Sequence, residues 1–160
     1  MSKKTPEEKR VITVGELITR ANQLRDYIAS LSSYLETLAL QINELETARS
    51  ALNAMPSQDF ASLLSIDKLN AILIQALIPR DWHTQVLVNI GRNYYLKTSR
   101  EKAIDIINKR LSNLRRIANE VQRQYQLALN EYNAIQQILA SIYARLEQQR
   151  QKTESGQKTT

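Results

Sequence analysis

The sequence predicts an α+β chain that is mainly α: a long antiparallel coiled-coil hairpin with two β-hairpins at one end that join an oligomeric β-barrel. Three observations carry this. Two stretches place apolar residues on heptad ladders, a strand-rich stretch separates them, and the 160 residues include only 3 Gly, 3 Pro and 6% aromatics. Apolar side chains recurring every 3.5 residues keep one narrow seam facing a partner helix. So few bulky core formers argue against one compact globule.

Taken in chain order, residues 1–10 are charged and polar and read as a disordered tail. A helix is expected over 11–55. Its d sites are Leu17, Leu24, Leu31, Leu38, Leu45 and Leu52, and its a sites are Val14, Ala21, Ile28, Leu35, Ile42 and Arg49, so only Arg49 breaks the apolar rule. A second helix is expected over 99–150, with a sites Ile104, Leu111, Ala118, Tyr125, Tyr132, Leu139 and Leu146 and d sites Ile107, Leu114, Val121, Ala128, Ile135 and Ile142. Residues 151–160 are again polar and read as a tail. The ladders fit each other when Leu52 lies opposite Ile104 in an antiparallel pair. That register sets Leu38 opposite Ala118, Ile28 opposite Ala128, Ile135 opposite Ala21, and the bulky Tyr125 and Tyr132 opposite Leu31 and Leu24, so that large often meets small, as close packing requires. An intrachain hairpin is therefore preferred to two helices seeking separate partners, giving a long arm.

Residues 56–98 are too many for a bare turn between helices. Ala71–Ile78 and Gln85–Ile90 are rich in β-branched residues, Tyr94–Lys97 follows a Gly91-Arg92-Asn93 turn, and Ala61–Ile66 can pair back across Asp67-Lys68-Leu69-Asn70. Two β-hairpins result, joined by Pro79–His83. Hairpins carried alone have little core and unpaired edges, and their resolution is a sheet or barrel shared between chains. The expected oligomerisation residues are Leu64, Ile66, Ile72, Ile74, Leu77, Val86, Val88, Ile90 and Tyr95.

Chemistry is almost absent from the sequence. There is no cysteine, hence no thiol nucleophile or thiolate metal site, and this suits a reducing, cytoplasmic setting. His83, the only histidine, is expected to be a solvated or hydrogen-bonded loop residue, and no metal site is expected. Among Gly15, Gly91 and Gly156 there is no phosphate-binding loop or dinucleotide fingerprint. Glu44 and Glu46 point to different helix faces, which argues against a paired acid and base. No enzyme activity and no cofactor are expected. The charged N-terminus and the short apolar run Ala71–Ile78, interrupted by Gln75, disfavour secretion and membrane insertion.

The net charge of +6 is concentrated from Ser99 to Lys152, where basic residues outnumber acidic ones. Lys109, Arg110, Arg115 and Arg116 form the densest patch, a handle for RNA or an acidic protein. Without exposed aromatics interleaved as a stacking platform, a solvated coiled-coil flank is the plainer reading, and nucleic acid is the unlikelier partner.

Two long coiled-coil helices flanking two hairpins, with Val86-Leu87-Val88-Asn89-Ile90-Gly91-Arg92-Asn93-Tyr94-Tyr95-Leu96-Lys97-Thr98-Ser99-Arg100-Glu101-Lys102-Ala103-Ile104 at the second hairpin and helix start, resemble an archaeal prefoldin alpha subunit. The likeness covers about residues 10 to 150. The longer connection points to the alpha class, since beta-class subunits carry one hairpin. One departure is that Asp67-Lys68-Leu69-Asn70 stands where the family's first hairpin usually has a glycine-rich turn. The resemblance implies an ATP-independent chaperone, a holdase built from two alpha and four beta subunits around a double β-barrel. In the family, the helix ends grip non-native polypeptide and deliver it to a group II chaperonin. Here those ends carry Val11, Ile12, Val14 and Ile18 on the first helix and Ile138, Leu139, Ile142, Tyr143 and Leu146 on the second. Off-seam apolar residues also occur in mid-arm, including Tyr27, Tyr34, Leu40, Ile117, Leu127 and Leu129, and Val11 with Ile12 can equally staple the helix start. Two other classes stay open: a coiled-coil adaptor or spacer for a folded partner, and an RNA-binding arm.

Overall fold

The computed structural model describes residues 12–67 and 69–156, with no side-chain account beyond 152. Two long helices precede and follow two small sheets along the chain, in the order α1 (Val14–Ala54), β1 (Phe60–Ser65), β2 (Leu73–Ile78), a 3-10 turn (Arg80–Thr84), β3 (Val86–Gly91), β4 (Tyr94–Thr98) and α2 (Arg100–Gly156). The expected tail at 1–10, and Val11 with it, lie outside the described residues, as does Lys68. α2 runs on past its expected end at 150 to Gly156, and residues 157–160 of the expected second tail lie outside the described residues. Glu147, Gln148, Gln149, Arg150, Gln151 and Lys152 are good helix formers with no glycine or proline among them, so nothing local stops the helix there.

The chain divides into two units, Met1–Glu36 with Asn119–Thr160, and Thr37–Ala118. In the first, the N-terminal part of α1 packs antiparallel against the C-terminal part of α2. α1 begins with a capping box. Thr13 Oγ1 accepts from the Glu16 N–H at 3.2 Å while the Glu16 carboxylate accepts from the Thr13 N–H at 2.7 Å, satisfying donors that a helix start leaves orphaned. The core is the heptad seam: Ala21, Leu24, Ala128, Ile135 and Leu139 are buried, with Val14, Leu17, Ile28 and Tyr132 packed against them. The cluster brings together the residues that the expected register pairs, Ala21 with Ile135, Ala128 with Ile28 and Leu24 with Tyr132. Arg20 pairs with Glu131 at 2.7 Å, and Tyr27 Oη donates to Gln124 at 3.2 Å, one heptad further along on the same flank.

The second unit has a buried seam of its own, with Leu38, Ile107 and Leu111, and with Ala103 wholly buried. Arg49, the polar a site, is accommodated at the seam's edge, where its guanidinium donates to Asn108 Oδ1 at 3.1 Å. α1 stops one residue before Met55-Pro56, as expected of a proline just beyond a helix end. α2 starts from Ser99, whose Oγ accepts from the Lys102 N–H at 3.4 Å.

The two hairpins form separate two-stranded antiparallel sheets. In the first, Phe60 pairs with Ile78 and the register runs through Leu64 opposite Ile74 to Ser65 opposite Leu73. Its turn manages without glycine because Asp67 does the work: its carboxylate accepts from the Leu69 N–H at 3.1 Å and the Ile72 N–H at 2.9 Å, and Asn70 takes the left-handed position at φ 55°. The second hairpin turns at Arg92 and Asn93, both at positive φ, the geometry that suits a tight two-residue connection. Gly91 sits at φ 114°, which favours glycine, and Ile90 is the extra residue of a bulge between Asn89 and Gly91. The segment between the sheets is tied back, with Trp82 Nε1 donating to Pro56 O at 2.8 Å and the Arg80 N–H to Asp59 at 2.7 Å. His83 is, as expected, a hydrogen-bonded loop residue, its Nδ1 at 2.8 Å from Arg80 O.

Candidate functional site

Two surfaces stand out, one in each unit. The first is made by the hairpins. A strand alternates its side chains between two faces, so a sheet lying half in water is normally polar on one of them. Here the first sheet is apolar on both. Leu64 and Ile74 lie opposite each other on one face, and Leu63, Leu73 and Leu77 lie on the other, Leu77 being 76% exposed. The second sheet has half-buried Val86 and Val88 on one face with Leu96, and exposed Leu87 and Tyr95 on the other. Each strand has a single neighbour, leaving one edge of backbone donors and acceptors unpaired.

Of the residues expected to mediate oligomerisation, Leu64, Ile66, Ile72, Ile74, Leu77, Ile90 and Tyr95 are exposed. Val86 and Val88 are partly covered within the chain. Sequence reasoning missed Leu63, Leu73, Leu87 and Tyr94, all exposed. The two-residue period marks both faces of such strands, and this was the signal available to find them. Arg110 fixes the second sheet to α2: its guanidinium donates to the carbonyl of Asn89, beside the bulge.

The second surface lies at the end of the helix pair in the first unit. Ile12, Ile18, Ile138, Tyr143 and Leu146 are exposed there, Ile12 at 66%. Val14 and Ile142 are half-buried seam residues. Leu139, expected among these exposed residues, is instead 7% exposed and packs into the core cluster. As an a site of the seam it is covered by the partner helix. The Glu16 carboxyl at this end is held below the usual glutamate range, first by the Thr13 backbone N–H and then by its hydroxyl, so the helix start keeps a fixed negative charge.

Three residues of the basic cluster have partners within the chain, although Arg115 and Arg116 stay exposed. Arg115 is ion-paired with Glu46, Arg116 donates to Asn113 at 3.2 Å, and Arg110 is turned to Asn89. The e positions of the antiparallel helices bring Glu46 and Arg115 together. Among the described residues no group of three or more His, Cys, Asp or Glu is placed to hold a metal ion, and no helix is long and apolar enough to cross a membrane.

Paired heptad helices that bury their own seam, joined to β-hairpins whose apolar side chains stay exposed, define a coiled-coil protein with uncovered hairpin faces. The chain belongs to the prefoldin family: residues 24–145 match the family described as prefoldin subunit. It is 32% identical over 131 residues to prefoldin subunit alpha of Saccharolobus solfataricus, covering 82% of this chain and 88% of that protein. It is 28% identical over 132 residues to prefoldin subunit alpha of Metallosphaera sedula, covering 82% and 90%. A chain in the solved structure of filamentous PFD from Methanocaldococcus jannaschii aligns over 79% of this chain and 95% of its own, at 17% identity and a TM-score of 0.41.

Proposed function

We propose that the chain is an alpha-type subunit of a cytoplasmic, ATP-independent prefoldin chaperone. Its hairpins complete a β-barrel hub with beta subunits, two alpha with four beta, and its helix ends hold non-native polypeptide for transfer to a group II chaperonin. Family membership supports the assembly and the transfer. The observation that carries client binding is the group of apolar side chains, Ile12, Ile18, Ile138, Tyr143 and Leu146, left exposed at the end of a helix pair whose seam is otherwise satisfied. Such a surface binds by burying apolar area, roughly 25 cal/mol per Å², without a sequence code, so each contact is weak and several arms acting together supply avidity.

Replacing Ile18, Tyr143 and Leu146 together by Ser tests this. These side chains lie outside the core cluster, so the assembly should keep its mass while suppression of aggregation of a chemically denatured client falls at least about tenfold per assembly, as loss of several apolar contacts requires. Undiminished suppression would refute client binding at these ends and favour the adaptor reading.

A further inference from the structure

The helix pair of the first unit is not the same on its two flanks. On the flank where Arg20 meets Glu131, two hollows of about 910 and 440 Å³ lie in series. The larger has Leu17 and Ile135 in its floor and Ile12, Ala134 and Ile138 at its rim. The smaller has Leu24 and Ala128 in its floor and Tyr27 and Leu127 at its rim. Arg20 and Glu131 line both, so their ion pair, 2.7 Å long and spanning the two helices, is a polar saddle between them.

We propose that this flank seats an amphipathic helical segment of a client polypeptide, which places apolar side chains one heptad apart in the two hollows and a small or hydrogen-bonding residue over the Arg20–Glu131 saddle. The inference rests on the chaperone reading above and names the conformation of the substrate that this flank takes.

Three observations favour a helix as the occupant. The floors repeat at one heptad, Leu17 to Leu24 and Ala128 to Ile135, which at 1.5 Å per residue is ~10.5 Å. Positions i and i+7 of a guest helix match that spacing on one face. An extended chain presents same-face side chains every ~6.7 Å, so neither its first nor its second repeat falls in step. Secondly, a helix satisfies its own backbone groups, whereas an extended segment would lay unpaired N–H and C=O groups on apolar floors. Thirdly, α2 carries a second apolar stripe beside the seam, Leu127, Ala134 and Ile138, all exposed and spaced for one helix face. A helix that packs against two neighbours needs such a widened stripe.

The test uses the assembled complex and labelled peptides of about 18 residues, long enough for measurable helix. One carries Leu at i and i+7 with Ser between. The second has the same composition with the two Leu five residues apart, and the third is the first with a central Pro. Fluorescence anisotropy should give the first peptide about tenfold tighter binding than either control, as expected for one well-seated leucine. Leu127→Glu should bring it down to the level of the controls. Equal binding of all three peptides, no binding, or binding indifferent to Leu127→Glu would overturn the proposal. So would a change in the mass of the complex on Leu127→Glu, which would mean that another copy of the chain covers this flank. Suppression of aggregation by the wild-type complex is measured alongside. If it persists while the peptides are not distinguished, only the helical-guest inference fails, and if it is absent the chaperone reading fails with it.

Discussion

The helix seam and the hairpin faces are built from the same residue types and end in opposite environments. Along the seam, Leu24, Leu38 and Leu111 are almost wholly buried, the last at 1% exposure. In the hairpins, Leu63, Leu73, Leu77, Leu87 and Tyr95 stand in water although their backbones are paired. A heptad stripe has one face to satisfy, and the partner helix of the same chain satisfies it. A two-stranded sheet has two faces and two edges, and this chain supplies cover for part of one face only. Intrachain folding is therefore completed in the seam and left open in the hairpins. The association with other chains proposed above rests on that deficit.

The largest effect that would break this contrast is at the hairpins. Leu63→Asp with Leu77→Asp should abolish assembly while leaving the helix content of the chain unchanged, because both side chains are exposed within it and surface changes of this kind typically move stability by only ~0.5 kcal/mol. Size-exclusion chromatography with circular dichroism reads both. Loss of helix together with assembly would mean that the hairpins support the seam and that the two regions are not independent.

Next comes the seam. Leu24→Ala removes a buried side chain from the core cluster of the first unit, and should cost about 2–5 kcal/mol in urea unfolding followed by circular dichroism. A loss under ~1 kcal/mol would show that the seam collapses around the cavity and is less tightly packed than its burial indicates.

The smallest effect sharpens the hairpin side. The Asp67 carboxyl is held below the usual aspartate range, chiefly by the Ile72 backbone N–H. A depressed folded value means that its contribution is fully present above the ordinary aspartate range near 4 and is lost as pH falls through the lower folded value. Amide exchange at Leu69 and Ile72 should stay slow at neutral pH, quicken only in that acid window once the intrinsic pH dependence of exchange is removed, and be fast throughout in Asp67→Ala. Equal protection in the variant would leave Asn70 and the strand ladder to hold the turn.

These contrasts also explain what could be read beforehand. The seam and its register were legible because each heptad position has one neighbour to satisfy, and Ala21 against Ile135 or Ala128 against Ile28 leaves little choice. Both hairpins were legible from β-branched runs and from Gly91-Arg92-Asn93. The first turn was harder, since the carboxylate of Asp67 and the left-handed Asn70 stand in for the glycine usual in the family, through side-chain hydrogen bonds that no local pattern announces. Which strand face the chain covers was not legible: Val86 and Leu87 are alike in sequence, and only packing separates them. Nor was the engagement of Arg110 and Arg115, which depends on partners at Asn89 and Glu46, far away along the chain.

The most direct test is the native mass and subunit composition of the complex purified from its own cells through this chain. A heteromer containing two copies of this chain and four of a second, shorter coiled-coil subunit, with the hairpin amides protected from exchange, is the predicted result. A monomer stable in solution with its hairpin faces open to solvent would contradict the account.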